Sequence, residues 1–132
     1  MIAASIVAFS ASDVPAQMTG LNPTPFEISQ LPKFCWEQMG VANARGDQYR
    51  PLNCGPGTNH YCPGLVWLLR AKLERDSRKR SVMIDTAAND VQYTEQWISS
   101  HANCSIQKHV KATKAEVEML KGVYGPPPFK KK

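Results

Sequence analysis

Apolar residues in the second half of the chain recur with the period of an α-helix. Cys62, Leu65, Val66, Leu69 and Leu73 fall at i, i+3, i+4, i+7 and i+11, the spacing of one buried stripe, and Asn59 stands where a cap is needed. Residues 76–79 make the turn that follows. Ile84, Ala87, Val91, Thr94 and Ile98 form a second stripe, flanked by Ala88 and Trp97. Ile106, Val110, Thr113, Val117 and Leu120 form a third, with Ser105 as cap and Gly122 and Gly125 as stop signals. Amphipathic helices joined by short connections pack as antiparallel neighbours. The pattern therefore predicts an antiparallel helical hairpin plus a third helix.

The first half reads differently. Thr24-Pro25-Phe26-Glu27 has the features of a helix start: a hydroxyl to accept from a free amide, proline at the first helical position, and a glutamate that can reach back to the cap's own amide. Pro32 interrupts this helix because it lacks an N–H and clashes with the preceding turn. A second short helix is expected over residues 32–39, ended by Gly40. Residues 41–59 then carry Asn43, Gly46, Asp47, Pro51, Asn53, Gly55, Pro56 and Gly57, a density of turn formers that predicts a long connection. Long connections inside compact domains are tethered or functional, and Cys54 supplies a tether. The fold class expected is mainly α, with short N-terminal helices and a disulfide-tethered loop ahead of the hairpin and third helix.

Composition supports a packed core. With 42% hydrophobic and 20% charged residues, the 132-residue chain lies near the globular average and has the length of one domain. The opening residues are small and apolar, and Val14-Pro15-Ala16 supplies the small residues a signal peptidase prefers. Residues 1–16 thus read as a signal peptide or its remnant, 17–125 as a single helical domain, and 126–132 as a flexible tail rich in proline and lysine. No run approaches the roughly 18 apolar residues that span a bilayer as a helix. A periplasmic or secreted location follows as the expectation.

Cys35, Cys54, Cys62 and Cys104 form an even set, which behind an export signal implies disulfides. No Cys-x-x-Cys pair is present, so a thioredoxin-type couple, a zinc-ribbon half-site and a c-type haem site are all unsupported. Four cysteines allow three connectivities. If the helix from Lys79 returns beside the helix from Asn59, Cys104 comes near Cys62 and Cys35 is left for Cys54. That pairing is expected over the other two.

Two segments, Leu31-Pro32-Lys33-Phe34-Cys35-Trp36 and Asn59-His60-Tyr61-Cys62-Pro63-Gly64-Leu65 with the following Arg70-Ala71, carry a resemblance. The chain from about Pro25 to Leu120 resembles a family of exported bacterial proteins of uncharacterised function, whose helical hairpins are similar to tetratricopeptide units. Trp67 and Ala71 fit the aromatic and small positions four apart in the first helix of such a unit. The resemblance implies a helical-hairpin fold that presents a surface and carries no enzymatic chemistry.

Candidate chemistry is sparse. Cys54, His60 and Cys62, with His101, His109 or Cys104 as a fourth ligand, could hold zinc or copper, but disulfides compete for the thiols. A cysteine nucleophile paired with His60, His101 or His109 needs a free thiol of lowered pKa, and no local feature marks one. Cys54-Gly55-Pro56-Gly57 lacks the spacing of a phosphate loop. Glu116 and Glu118 lie two apart on a helix and do not face each other. Trp36, Trp67 and Trp97 could stack ligands or bases, though large aromatics in small domains mainly fill cores.

Net charge is +5, with basic clusters at residues 70–80, at Lys108, Lys111 and Lys114, and at 130–132. Such clusters suit acidic partners or nucleic acid, and export argues against the latter. The expectation is a non-catalytic, exported interaction module without a cofactor, docking a protein partner or a second copy in the cell envelope. Lys108, Lys111, Lys114 and Trp67 are its candidate partner surface. A metal- or haem-associated periplasmic accessory protein and a small enzyme with a Cys/His site are the alternatives.

Overall fold

A computed structural model describes residues 20–125; the leader expected over 1–16 and the tail over 126–132 lie outside the described residues. Four α-helices follow in order, α1 (Pro25–Gln30), α2 (Tyr61–Leu73), α3 (Ser77–Ile98) and α4 (Gln107–Tyr124). Single 3-10 turns at Lys33–Cys35, Asp47–Tyr49 and Pro56–Thr58 punctuate the first half, and the described residues contain no strand. Among them, no helix is long and apolar enough to cross a membrane.

The start of α1 is the capping box that the sequence implies. The Glu27 amide donates to Thr24 Oγ1 at 3.2 Å, and the Thr24 amide donates to Glu27 Oε2 at 2.7 Å. Beyond Pro32 the expected helix over 32–39 is reduced to the 3-10 turn at Lys33–Cys35 and a further irregular turn. The stop at Gly40 is where it was expected. Gly40 takes a positive φ of 75°, its amide donates to Glu37 O, and the Val41 amide reaches back to Trp36 O, which is the six-to-one closure of a Schellman motif.

In the second half α3 is the central helix and runs antiparallel to both neighbours. His60 and Gly64 at the start of α2 meet Asp90 and Ala87, while Glu95 and Asp85 meet Lys114 and Lys121 of α4. Its stripe of Ile84, Ala87, Val91, Thr94 and Ile98 is buried along its whole length, as the periodicity requires. Asp76 caps α3 by accepting from the Lys79 amide at 2.9 Å, so the helix begins at Ser77, inside the stretch expected to form the turn.

The stripe of α2 is misplaced by the simple pattern. Its buried residues are Tyr61, Cys62, Gly64, Val66, Leu68 and Ala71, whereas Leu65 and Leu69 are half-buried and Leu73 is 75% exposed. This helix touches α3 on one side and the Phe34 and Thr113 side chains on the other, so burial spreads around it instead of following one seam. Neither Asn59 nor Ser105 serves as the cap expected of it. His60 occupies the cap position of α2, and Ser105 Oγ accepts from the Leu52 amide at 2.9 Å, pinning the long connection to the start of α4. Gly122 lies inside α4, which ends at Gly125.

All four cysteines are in disulfides, but the connectivity differs from the expected one. Cys35 is bonded to Cys62 and Cys54 to Cys104. The return of α3 does bring Cys104 to the α2 end of the bundle. The loop residue Cys54 meets it there, while Cys62, one position into α2, is turned towards the 3-10 segment that carries Cys35. Both bridges are buried and fit an oxidising compartment.

Around them lies the larger part of the core, with Tyr61, Val66, Val91, Ile98, Ile106 and Val110. A smaller part gathers Leu68, Ala71, Ile84, Ala87 and Val117, and Trp67 packs against both. Tyr61 contributes a buried ring and a hydroxyl bonded to Thr113 Oγ1 at 2.7 Å, which joins α2 to α4.

Arg70 fastens the N-terminal segment. Its Nε and Nη2 donate to the two oxygens of Glu27 at 2.6 and 3.1 Å, and Nη2 also donates to Leu21 O at 2.8 Å.

Candidate functional site

The candidate metal set is dispersed by the disulfides. Cys54 and Cys62 belong to different bridges, and His60 Nδ1 lies 2.9 Å from Asp90 Oδ1 instead of near a thiol. His101 Nδ1 is 3.0 Å from Trp97 O, and His109 packs edge-on against Phe34 with ring centroids 5.1 Å apart. Among the described residues no three His, Cys, Asp or Glu side chains gather as ligands. A Cys/His nucleophilic site would need one of these bridges opened, since every cysteine is oxidised.

The expected partner surface also divides. Lys108 and Lys111 are exposed on α4, but Lys114 Nζ bonds to Glu95 Oε2 at 2.7 Å. Lys121 and Lys72 similarly pair with Asp85 and Glu116, so much of the basic character of this region is balanced within the fold. Trp67 is half-buried between the two parts of the core, with the Arg70 guanidinium 5.3 Å from its ring centroid. It is a packing residue.

What the fold does assemble is a row of rings on the outer face of α3. Tyr93 and Trp97 stand one turn apart with centroids separated by 6.2 Å, and they remain 38% and 41% exposed. His60 extends the row, its ring 4.3 Å from that of Tyr93. The row is held from behind. Gly57 presses its backbone against the indole so closely that a Cβ there would overlap the ring, and Gly55, at φ 72°, lies against the ring of His101. Only glycine admits that approach at both positions.

The Cys54–Cys104 bridge fixes the same loop from its other side. Asp90 anchors His60 from below; burial pushes its carboxyl above the ordinary range, and the hydrogen bond and charge of His60 oppose the shift. Trp97 is therefore exposed on one side and backed by the Gly57 backbone on another, and His60 beside it is tied to Asp90.

Tyr93 was not singled out by sequence; Trp97 was, as a flank of the buried stripe and as one of three tryptophans that could stack ligands or bases. The signal was present in the opposite face of α3, where Val82, Asn89, Tyr93 and Trp97 fall at i, i+7, i+11 and i+15. Fold and site together define a disulfide-bridged helical bundle that displays an aromatic ledge. Comparison with protein-family models, curated proteins and solved structures gives no match.

Proposed function

We propose that this protein is an exported, non-catalytic helical module of the periplasm or cell exterior that docks a protein partner through the ledge of His60, Tyr93 and Trp97. The observation that carries the reading is the combination of exposure and rigidity at Trp97. A large indole is kept at the surface by glycine backing and a disulfide-clamped loop, so little side-chain freedom is lost when a partner covers it. Trp and Tyr dominate the binding energy of protein interfaces for this reason among others. The pairing of Lys114 with Glu95 divides the basic cluster and favours the ledge over it, and the resemblance to exported hairpin proteins supports the same class of function.

The test is quantitative capture from the native envelope fraction with three baits, the wild-type chain, Trp97→Ala, and Tyr93→Ala/Trp97→Ala. A hot-spot indole predicts recovery of the same prey reduced about tenfold by Trp97→Ala. Circular dichroism and a free-thiol assay confirm that the baits remain folded and bridged. Equal recovery of that prey by all three baits overturns the assignment to the ledge.

A further inference from the structure

The net charge of the chain, +5, is not spread over the fold. Seven cations, Arg75, Arg78, Lys79, Arg80, Lys130, Lys131 and Lys132, belong to the α2–α3 corner or to the segment that follows α4, and only Glu74 and Asp76 lie among them in sequence. That excess equals the whole net charge, because the other nine basic and nine acidic residues cancel. The fold brings both groups to one end. Lys121 pairs with Asp85, and the Arg80 guanidinium lies 4.1 Å from the Tyr124 ring centroid, so α4 finishes beside the start of α3. Seven residues of chain reach at most about 25 Å, which keeps Lys130, Lys131 and Lys132 within that distance of Gly125.

The corner also carries apolar surface. Leu73, the last residue of α2, is 75% exposed, and Val82, one turn beyond Arg78 and Lys79 on α3, is 64% exposed. Leu73 and Met83 line an open depression together with Arg70, Glu74 and Arg75. Arg70, Lys72 and Arg80 are engaged within the fold, by Glu27, Glu116 and the Glu74 carbonyl. Arg75, Arg78 and Lys79 are exposed and make no ion pair among the described residues.

The charges by themselves fit any polyanion; the leucine among them separates the classes. A nucleic acid takes cations and aromatic faces and has no use for a protruding aliphatic side chain. An acidic protein would have to supply a pocket shaped to this convex corner. A bilayer needs no such pocket, since its interface admits an apolar side chain while anionic headgroups take the cations around it.

We infer that the α2–α3 corner docks on a bilayer that exposes anionic headgroups, with Leu73 entering the interface and Arg75, Arg78 and Lys79 set among the headgroup phosphates. One apolar side chain and a small basic patch are each too weak to hold a protein alone, and together they give reversible attachment. Tyr93 lies fourteen residues beyond Lys79, roughly 21 Å along the helix axis, so the ledge stays clear of the surface. The docking does not depend on the ledge.

Cosedimentation of the full, disulfide-bonded chain with vesicles tests it. Vesicles of phosphatidylcholine and phosphatidylglycerol in a two-to-one ratio should bind the chain, phosphatidylcholine alone should not, and added salt should weaken the binding. Arg75→Gln/Arg78→Gln/Lys79→Gln is expected to weaken it about a hundredfold and Leu73→Ala about tenfold. Lys108→Gln/Lys111→Gln, which removes two exposed cations from the other end of the bundle, should leave it unchanged. All of these positions are exposed, and circular dichroism checks that each variant is folded. Equal binding to both vesicles, or to neither, overturns the inference, as does an equal loss in the Lys108/Lys111 variant. Binding to soluble polyglutamate as strong as to the anionic vesicles, or vesicle binding indifferent to Leu73→Ala, assigns the corner to an acidic macromolecule and overturns it too.

Discussion

Arg70 concentrates more of the fold's polar bonding than any other side chain described above. It joins α2 to the carboxylate of Glu27 and to the Leu21 carbonyl, and its guanidinium also borders Trp67. The guanidinium beside Glu27, with the Thr24 amide, holds that carboxyl at about 2 against an ordinary 4.5, although partial burial works in the other direction. A depressed acid stabilises the fold fully above its unfolded pKa and loses that contribution as pH falls towards the folded one. Acid titration of stability should therefore show a loss on the order of 1 to 2 kcal/mol attributable to Glu27 as pH drops from about 4.5 to about 2. Glu27→Gln should flatten that part of the profile. Denaturant melts of both chains across this range check it, and parallel acid limbs would remove Glu27 as the cause. Arg70 was visible in the sequence as part of a motif and as the first residue of a basic cluster, but nothing local shows that its partners lie more than forty residues upstream.

Among the elements, legibility followed how the buried side is laid out rather than how many neighbours cover it. The central α3 meets helices over one continuous face, and its five stripe residues could be read without error. For α2, contacted from several directions, the period-3.6 template chose Leu73, which is exposed, and passed over Leu68 and Ala71, which are buried. Local capping chemistry was decisive at Thr24 and Asp76, where no distant group competes. At Ser105 a distant amide, that of Leu52, took the hydroxyl instead. The ledge was missed for a related reason: its exposure depends on the Gly55–Gly57 backbone, whose position is set by a bridge to a cysteine fifty residues away.

The disulfides show the same limit, because hairpin geometry brings both Cys54 and Cys62 to the end of the bundle that Cys104 reaches. Non-reducing peptide mapping should recover Cys35 with Cys62 and Cys54 with Cys104. Loop closure over 27 and 50 residues assigns each bridge about 3 to 4 kcal/mol. Cys54→Ala/Cys104→Ala should lower the free energy of unfolding by about that amount while Cys35 and Cys62 remain paired. A loss well under 1 kcal/mol would count against the bridge as a structural clamp.

For the whole molecule, the two bridges have a consequence in covalent topology. They interleave: the segment closed by Cys35 and Cys62 contains Cys54, whose own partner, Cys104, lies beyond it. Any single backbone cut between residues 35 and 104 therefore leaves two pieces still joined through sulfur. The exposed stretch around Gly46 and Asp47 offers a protease such a cut. A chain nicked there should migrate as one species without reductant and as two with it, and fragments that separate without reductant would refute the interleaving. In a compartment that holds proteases but no reductant, the backbone can be broken while the ring of bonds through both cystines keeps the molecule in one piece.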